Sequence, residues 1–290
     1  RDPRPRLETE FAACQELQNR GYPVPGACAF DKDLGWGIYP WIAGSLIENP
    51  DKHFLAEAIE FIRRLHCDSR ASDSFGQFNR ASEACLSGEE IARQIRGRIE
   101  KLEGVRSEEL RQFLDHEFCP QFTLSEQSAR ELSGKLFDTE LNRELQLPSP
   151  SDFGSHNALR IAGDQSIFID FEYFGWDDPV KLVSDFYWHP GMRLASDLRA
   201  QWITSCMEIF QEDATFRLRL KSFLPLYGLR WCLILLNEFR SQGAEQRVFA
   251  DPLKASDLAK IHGDQLDKSR ELLREIKETM HDYGSAIQVS

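Results

Sequence analysis

One segment near the middle of the chain strongly limits how the residues around it can fold. Two short apolar runs, at 158–161 and 167–169, are suited to β-strands, and the Ala-Gly-Asp-Gln-Ser sequence between them has the composition of a turn. This pattern predicts a β-hairpin, whose two outer ends lie side by side. Asn157 precedes the first run and Asp170 follows the second, so the hairpin is predicted to make these two oxygen-bearing side chains neighbours.

Asp152 lies on the loop ahead of the hairpin, five residues before Asn157. Phosphoryl transfer needs a set of this kind. One carboxylate accepts the proton of an attacking hydroxyl, while a carboxamide and a second carboxylate hold Mg²⁺ on the nucleotide phosphates. Protein kinases space the base and the Asn in the same way, and their metal-binding Asp begins an Asp-Phe-Gly turn. Each feature alone is common in surface loops, but their order favours Asp152 as catalytic and Asn157 and Asp170 as metal ligands.

At these residues the chain resembles the aminoglycoside phosphotransferase and choline kinase-like family, whose catalytic loop usually reads His-Gly-Asp-x-x-x-x-Asn. The run Ile169-Asp170-Phe171-Glu172-Tyr173 is similar to the metal-binding strand of choline and ethanolamine kinases, and Asp178-Pro179 matches a pair downstream. The resemblance implies an α+β, protein kinase-like bilobal fold with a mostly helical large lobe that carries the catalytic hairpin. It also implies transfer of phosphate from ATP, with Mg²⁺, to a hydroxyl of a small molecule such as an amino alcohol, an aminoglycoside or a sugar-like compound.

The resemblance extends to the segment 38–44, Ile-Tyr-Pro-Trp-Ile-Ala-Gly, which is similar to the hinge strand between the two lobes. It implies that Pro40, Trp41 and Ile42 bind the nucleotide, with the Pro40 carbonyl and the Ile42 amide at the adenine edge. The run Ile62-Arg63-Arg64-Leu65-His66 is similar to the end of the first large-lobe helix.

The segment 6–17 is similar to the small-lobe helix of the family, whose glutamate, here Glu10, pairs with a phosphate-binding Lys. Only nine residues precede Glu10, which is too few for the family's strands and its Lys. We therefore expect residues 1–44 to be the remnant of a truncated small lobe together with the hinge, and residues 45–290 to form the helical large lobe. Without the Lys, this chain by itself is expected to bind nucleotide weakly at best and to be inactive.

Other positions depart from the family pattern. Pro150-Ser151 stands in place of the usual His-Gly, and Leu182 stands where the family often has a second Asp. Asp185, about one helical turn further on, is expected to substitute for that Asp. These departures and the expected lack of a Lys leave open an alternative function, a catalytically silent kinase-like binding module (pseudokinase). The complete Asp–Asn–Asp set favours the enzyme.

Several aromatic residues follow the predicted metal-binding strand. They are interpreted either as a substrate wall, including a cation–π box for an amine, or as ordinary packing, and packing is favoured for most of them. Trp176 is predicted to be the most exposed because Gly175 and Asp177 flank it. The candidates for substrate contact are Glu172, Trp176, Asp177 and His189. The alternatives are that Glu172 orients the metal-binding loop and that His189 caps a helix.

Apolar residues at helical spacing predict that most of the remaining chain is helical. The predicted helices are 53–66, 89–102, 108–118, 194–210, 214–239 and 258–280, with strands only in the hinge and the hairpin. The last helix contains His262-Gly263-Asp264, which spells the family's tripeptide. Ser269 stands where an Asn would be needed, so this tripeptide is interpreted as part of a surface helix.

Composition excludes several classes of partner. The net charge of −12 argues against a nucleic-acid surface, which would be basic. The longest apolar run, near residues 231–236, is far too short to cross a membrane. Seven cysteines, an odd number without zinc-site spacing, indicate reduced thiols. The sequence therefore predicts a cytoplasmic enzyme with a small-molecule acceptor and leaves the oligomeric state open.

Overall fold

The computed structural model describes residues 6–192, 194–240 and 254–286. The chain divides into two compact units, each assembled from two stretches: Arg1–Leu86 with Leu141–Arg217, and Ser87–Glu140 with Leu218–Ser290. All the residues that the sequence assigned to the candidate site belong to the first unit. The seven cysteines are free thiols, as predicted. None of the described helices combines the length and apolar character that a bilayer crossing requires.

Helices make up most of the described structure. In chain order they are α1 (Arg6–Asn19), α2 (Lys52–Ala71), α3 (Gly88–Glu103), α4 (Glu108–Phe113), α5 (Cys119–Ser133), α6 (Pro179–Trp188), α7 (Ser196–Ile209), α8 (Phe216–Leu235) and α9 (Lys254–Ala286). The six predicted helices are present with shifted ends. The stretch predicted as one helix at 108–118 is α4 followed by a π-helical turn, Leu114–Phe118, that leads into α5.

The strands are short. They are β1 (Ala29–Asp31), β2 (Trp36–Ile38), β3 (Gly44–Leu46), β4 (Leu147–Ser149), β5 (Ala158–Ile161), β6 (Ser166–Phe168) and β7 (Gly175–Asp177). They form three antiparallel sheets, β1–β2, β3–β5–β6 and β4–β7. The predicted hairpin is β5–β6, in which Ala158 pairs with Phe168.

The prediction that strands occur only in the hinge and the hairpin was wrong. Strand β1, most of β2 and the β4–β7 pair lie outside these two predicted regions. The β4–β7 pair was missed because both strands have only three residues and β4 contains Pro148. Gly175 begins β7 at a point where an added Cβ would lie 2.6 Å from the Asn79 carbonyl, so a neighbouring backbone packs directly on it. The segment 38–44, predicted to be the hinge, is a strand only at its ends, in β2 and β3, and residues 39–43 between them are irregular.

An aromatic cluster packs helix α2 against the hairpin. Phe61 of α2 is buried, and its ring centroid lies 5.2 Å from that of Phe153, 5.0 Å from that of Phe168 and 6.4 Å from that of Phe171. Phe153 and Phe171 directly follow the two candidate site aspartates in sequence. The two segments that carry these aspartates therefore pack against the same helix, α2.

Glu57, one turn earlier on α2, holds the hairpin through hydrogen bonds. Its carboxylate accepts from the Ser166 amide at 2.9 Å, from the Ser166 hydroxyl at 2.6 Å and from the Arg160 guanidinium at 3.1 Å. Bonds to a charged acceptor are stronger than neutral ones. They therefore fix β5 and β6 relative to the helix.

Phe61→Ala should lower the free energy of unfolding of the first unit by about 3–5 kcal/mol, because it removes a buried ring and leaves a cavity in the aromatic cluster. Urea denaturation followed by fluorescence measures this change. Leu34→Ala is the control, since 70% of Leu34 is exposed, and we expect it to change stability by no more than about 0.5 kcal/mol. Equal effects of the two variants would contradict the conclusion that the buried Phe61 ring stabilises the packing of α2 on the hairpin.

Candidate active site

Asn157 connects the loop that carries Asp152 to the strand that ends at Asp170. Its carbonyl accepts a hydrogen bond from the Ile169 amide at 2.9 Å, and its side-chain Nδ2 donates to the Asp152 carbonyl at 3.0 Å. A carbonyl can only accept, so this bond fixes the orientation of the amide. The Oδ1 atom of Asn157 is left with no hydrogen-bond donor among the described residues.

Asp170 lies directly after the hairpin, in a left-handed backbone conformation with φ of 66°. A non-glycine residue in this region costs about 1–2 kcal/mol, and such residues concentrate at functional sites. Burial, followed by the charges of Glu172 and Asp152, raises the pKa of the Asp170 carboxyl. Glu10 on α1 shows the same effect: burial and the charges of Asp170 and Glu172 raise its pKa.

Four carboxylates from three parts of the first unit therefore act on one another. They are Glu10, Asp152, Asp170 and Glu172. Like charges held together in a partly buried place repel, and a bound divalent cation relieves that repulsion. Asn157 is bonded through its backbone to Ile169, the residue before Asp170, and adds an amide oxygen to the candidate donors. The candidate donor set therefore consists of hard oxygen atoms, which suits Mg²⁺.

Asp152 differs from the other acids because it has imidazole neighbours. Burial alone would raise the pKa of Asp152, but the hydrogen bond and charge of His156, with a smaller effect of His189, hold it below its usual value. The Nε2 atom of His156 lies 2.8 Å from Asp152 Oδ1, and that of His189 lies 4.0 Å from the same oxygen. The side chain of Asp152 remains 38% exposed, so an external group can reach it.

Asp152, His156 and His189 place their ligand-type atoms close enough together to suggest a metal centre. The ring geometry disfavours one. The two imidazole rings are stacked, with centroids 3.7 Å apart and planes within 9° of parallel. A metal ion bonded to a ring nitrogen lies in the plane of that ring, and stacked parallel rings share no such point. The three residues are therefore better described as a hydrogen-bonded carboxylate with two packed imidazoles.

The prediction that Trp176 is an exposed aromatic was wrong. Only 8% of Trp176 is exposed, and its indole N–H donates to the Phe75 carbonyl at 2.9 Å. The guanidinium of Arg143 covers the ring at 3.2 Å from its centroid. The residue belongs to β7, where the sheet and this cation bury it, so it is not placed to contact a substrate.

Asp177 also departs from the expectation of a substrate contact, because it is fully buried. Its carboxylate accepts from the Cys85 amide at 2.9 Å and from the Asp178 amide at 2.8 Å, and it lies 3.5 Å from the Lys181 ammonium. Asp185, expected to substitute for the Asp that the family often has at position 182, lies 3.0 Å from the same ammonium. Both carboxylates thus belong to a buried ion-pair network that runs from the residue before the N-cap of α6 to its second turn.

A sequence profile of the phosphotransferase enzyme family matches residues 1–208. The chain belongs to this family. Its structure is similar to that of a choline/ethanolamine kinase family protein from Mesorhizobium loti, with a TM-score of 0.58, 18% identity and coverage of 97% of this chain and 84% of that chain. No curated protein matches the chain in a sequence comparison.

Two further solved structures share the fold. Plasmodium vivax ethanolamine kinase has a TM-score of 0.55 and 13% identity, and the match covers 95% of this chain and 75% of that chain. A spectinomycin phosphotransferase in complex with ADP and spectinomycin has a TM-score of 0.57 and 13% identity, with coverage of 93% and 82%. At these identities the likeness concerns the fold, which is the kinase-like fold predicted from the sequence.

Ser151 takes the position before Asp152 where the family resemblance of the sequence implies a glycine. Ser151 has φ of 64°, in the left-handed region that favours glycine. Its amide donates to the Ser149 hydroxyl at 3.0 Å, and its own hydroxyl donates to the Tyr173 carbonyl at 3.3 Å. The loop therefore keeps the backbone turn without the glycine, and side-chain hydrogen bonds help to hold it.

The remaining candidates lie on different elements. Glu172 forms an ion pair with Arg6 of α1, whose guanidinium lies 2.6 Å from its Oε1 atom. Pro40, Trp41 and Ile42 lie in the irregular segment between β2 and β3, and 93% of Trp41 is exposed. Sequence reasoning did not single out His156. Its position four residues after Asp152 in the same loop was the signal that would have found it.

Asp170→Asn should raise the free energy of unfolding at pH 7 in metal-free buffer. A raised pKa in the folded state means that ionisation of Asp170 costs stability as the pH rises from the unfolded to the folded pKa, and this cost is fully present above that window. The amide has no charge, and Asn tolerates the left-handed conformation. The gain should disappear at about pH 3, where the acid is largely neutral in both states.

Urea denaturation at the two pH values measures this difference. Asp33→Asn, at an exposed turn position, is the control and should change stability by less than about 0.5 kcal/mol at either pH. A loss of stability in Asp170→Asn at pH 7 would contradict the electrostatic description of the site.

Proposed function

We propose that this chain is an ATP- and Mg²⁺-dependent phosphotransferase that phosphorylates a hydroxyl group of a small molecule. The observation that carries the proposal is the meeting of Asp152, Asn157 and Asp170 around one hairpin, in a chain that belongs to the phosphotransferase enzyme family. The acceptor classes that agree with the similar structures are amino alcohols and aminoglycosides, and sugar-like hydroxyl compounds remain candidates.

Mg²⁺ would be held by Oδ1 of Asn157 and the carboxylate of Asp170. The amide orientation leaves that oxygen available, and the carboxylate repulsion at Asp170 gives the site its affinity for a cation. When bound, the ion neutralises charge on the nucleotide phosphates during transfer. The Pro40 carbonyl and the Ile42 amide would meet the adenine edge, with Trp41 beside them. Glu10 would hold the position of the glutamate that pairs with a phosphate-binding Lys in the family.

Asp152 would act on the acceptor. Its pKa is held below the usual value, so the carboxylate is ionised at neutral pH and can accept a hydrogen bond from the acceptor hydroxyl. As the hydroxyl oxygen bonds to the γ-phosphorus, the bond from that phosphorus to the β–γ bridging oxygen breaks and ADP leaves. The hydroxyl proton passes to Asp152 and then to solvent. A weakly basic carboxylate orients the nucleophile and takes the proton late in this step.

Asp152→Asn and Asp170→Ala in the full-length protein should separate the two roles. Asp170→Ala removes a metal ligand, so both turnover and Mg²⁺-dependent nucleotide binding should be lost. Asp152→Asn should leave nucleotide affinity within about twofold and lower kcat by about 10²–10⁴-fold, because only the acceptor hydroxyl loses its partner. Titration calorimetry with a non-hydrolysable ATP analogue and a coupled ADP assay over amino alcohols, aminoglycosides and sugars measure these effects.

Asp264→Asn is the matched control, since Asp264 ends the His-Gly-Asp tripeptide that lies within helix α9. It should leave binding and turnover unchanged. Equal loss of nucleotide affinity in the two site variants would contradict the division of roles. Nucleotide binding without transfer to any acceptor in the wild-type protein would contradict the enzyme and support the silent binding module.

A further inference from the structure

The proposed base, Asp152, is held by a neighbouring ring that the family's catalytic pattern does not include. Nε2 of His156 lies 2.8 Å from Asp152 Oδ1. An ionised carboxylate can only accept a hydrogen bond, so the ring donates its Nε2–H. The Nδ1 atom of His156 is buried and has no partner within the described part of the chain. A proton there would be an unsatisfied buried donor, so both observations place the proton on Nε2.

His189 supports His156 from the other side. Its ring stacks on that of His156 at a centroid distance of 3.7 Å. The ring is itself fixed, because its Nδ1 accepts a hydrogen bond from the Gly191 amide at 3.0 Å. Burial and the neighbouring His156 lower the pKa of His189 to about 4, so the ring is neutral at physiological pH, with its proton on Nε2. That Nε2–H lies 4.0 Å from Asp152 Oδ1, which is too far for a hydrogen bond, so His189 acts mainly through the stack.

Two glycines make room for the stacked rings. A Cβ added at Gly154 would lie 2.8 Å from Cε1 of His156 and 2.5 Å from the sulfur of Met192, and one added at Gly191 would lie 2.9 Å from Cε1 of His189. Gly154 has an extended backbone with φ of 169°, so its requirement is space and not a left-handed conformation. Gly154, Gly191 and His189 therefore leave a closely fitting space for the imidazole of His156 beside Oδ1 of Asp152.

We propose that His156, supported by His189, is a positioning residue that reserves Oδ1 of Asp152 and turns its Oδ2 toward the acceptor hydroxyl. This inference rests on the proposed function, because it assigns the two oxygens of the proposed base to different tasks. Without the imidazole, the carboxylate can rotate about its Cβ–Cγ bond. Misplacement of a reacting group by about 1 Å can cost on the order of 100-fold in rate.

The test compares three substitutions of His156 in the full-length protein. Nε2 of Gln extends about as far as Nε2 of His and can donate the same hydrogen bond, whereas Nδ2 of Asn falls short of it. His156→Ala and His156→Asn should lower kcat by about 10–100-fold and leave the KM for ATP within about twofold, because the contact orients only the acceptor side. His156→Gln should restore at least about a third of the wild-type kcat, a rescue that a purely structural role would not give.

His116→Ala, at an exposed histidine of the π-helical turn, is the control and should keep full activity. Circular dichroism melting identifies any variant that fails to fold. Histidine-selective ¹⁵N NMR provides a readout that does not need turnover. The protonated Nε2 signal of His156 should be present in the wild type and should shift in Asp152→Asn, which alters its hydrogen-bond acceptor.

The outcomes separate the two proposals. Absence of transfer to every acceptor tested would overturn the proposed function. Transfer by the wild type with an unchanged kcat in His156→Ala would overturn the positioning role alone, as would equal loss of activity in the Gln and Asn variants. An NMR signal showing the proton on Nδ1 of His156 would also overturn it. Inhibition by micromolar Zn²⁺ that disappears in His156→Ala would replace the positioning role with a metal site.

Discussion

The hydrogen bond from the Ile169 amide to the Asn157 carbonyl, 2.9 Å long, closes the open end of the β5–β6 hairpin. Both proposed metal ligands depend on it, since Asn157 is one of the two bonded residues and Asp170 follows the other directly. Asn157 then holds the preceding loop through its bond to the Asp152 carbonyl. The register of this hairpin therefore sets the relative positions of Asp152, Asn157 and Asp170. A slip of one residue between β5 and β6 would turn the side chains of one strand to the other face of the hairpin.

Backbone strain and charge repulsion at the candidate site lower the stability of the fold, and the packing of the hairpin on α2 offsets this loss. Ser151 and Asp170 both have left-handed backbones, and the carboxylates around Asp170 repel one another. Such strain persists only where the surrounding structure over-determines it. Here the aromatic cluster around Phe61 and the hydrogen bonds to Glu57 hold the hairpin on α2. The buried side of the hairpin supplies stability, and the open side concentrates charge where a cation and an acceptor would bind.

Local patterns in the sequence predicted the features that depend on neighbouring residues. Two apolar runs around a turn predicted the hairpin, and apolar residues at helical spacing predicted the helix at 53–66 that is α2 in the structure. Features that depend on contacts between residues far apart in sequence were missed or wrongly predicted. Trp176 has the flanking residues of an exposed turn, yet Arg143 and the backbone at Asn79 bury it. The His156 ring stacks on that of His189, which lies far from it in sequence. No local sequence pattern indicated that these two rings would meet.

The most direct test is a crystal structure of the full-length protein with Mn²⁺ and a non-hydrolysable ATP analogue, in which anomalous scattering locates the metal. We expect this structure to show a metal peak beside the nucleotide phosphates, with Oδ1 of Asn157 and the Asp170 carboxylate at about 2.1 Å. Asp152 would lie across the γ-phosphate from the leaving group, with Oδ1 still bonded to His156. A peak held by Asp152, His156 and His189, or nucleotide bound with no metal at Asp170, would contradict this expectation.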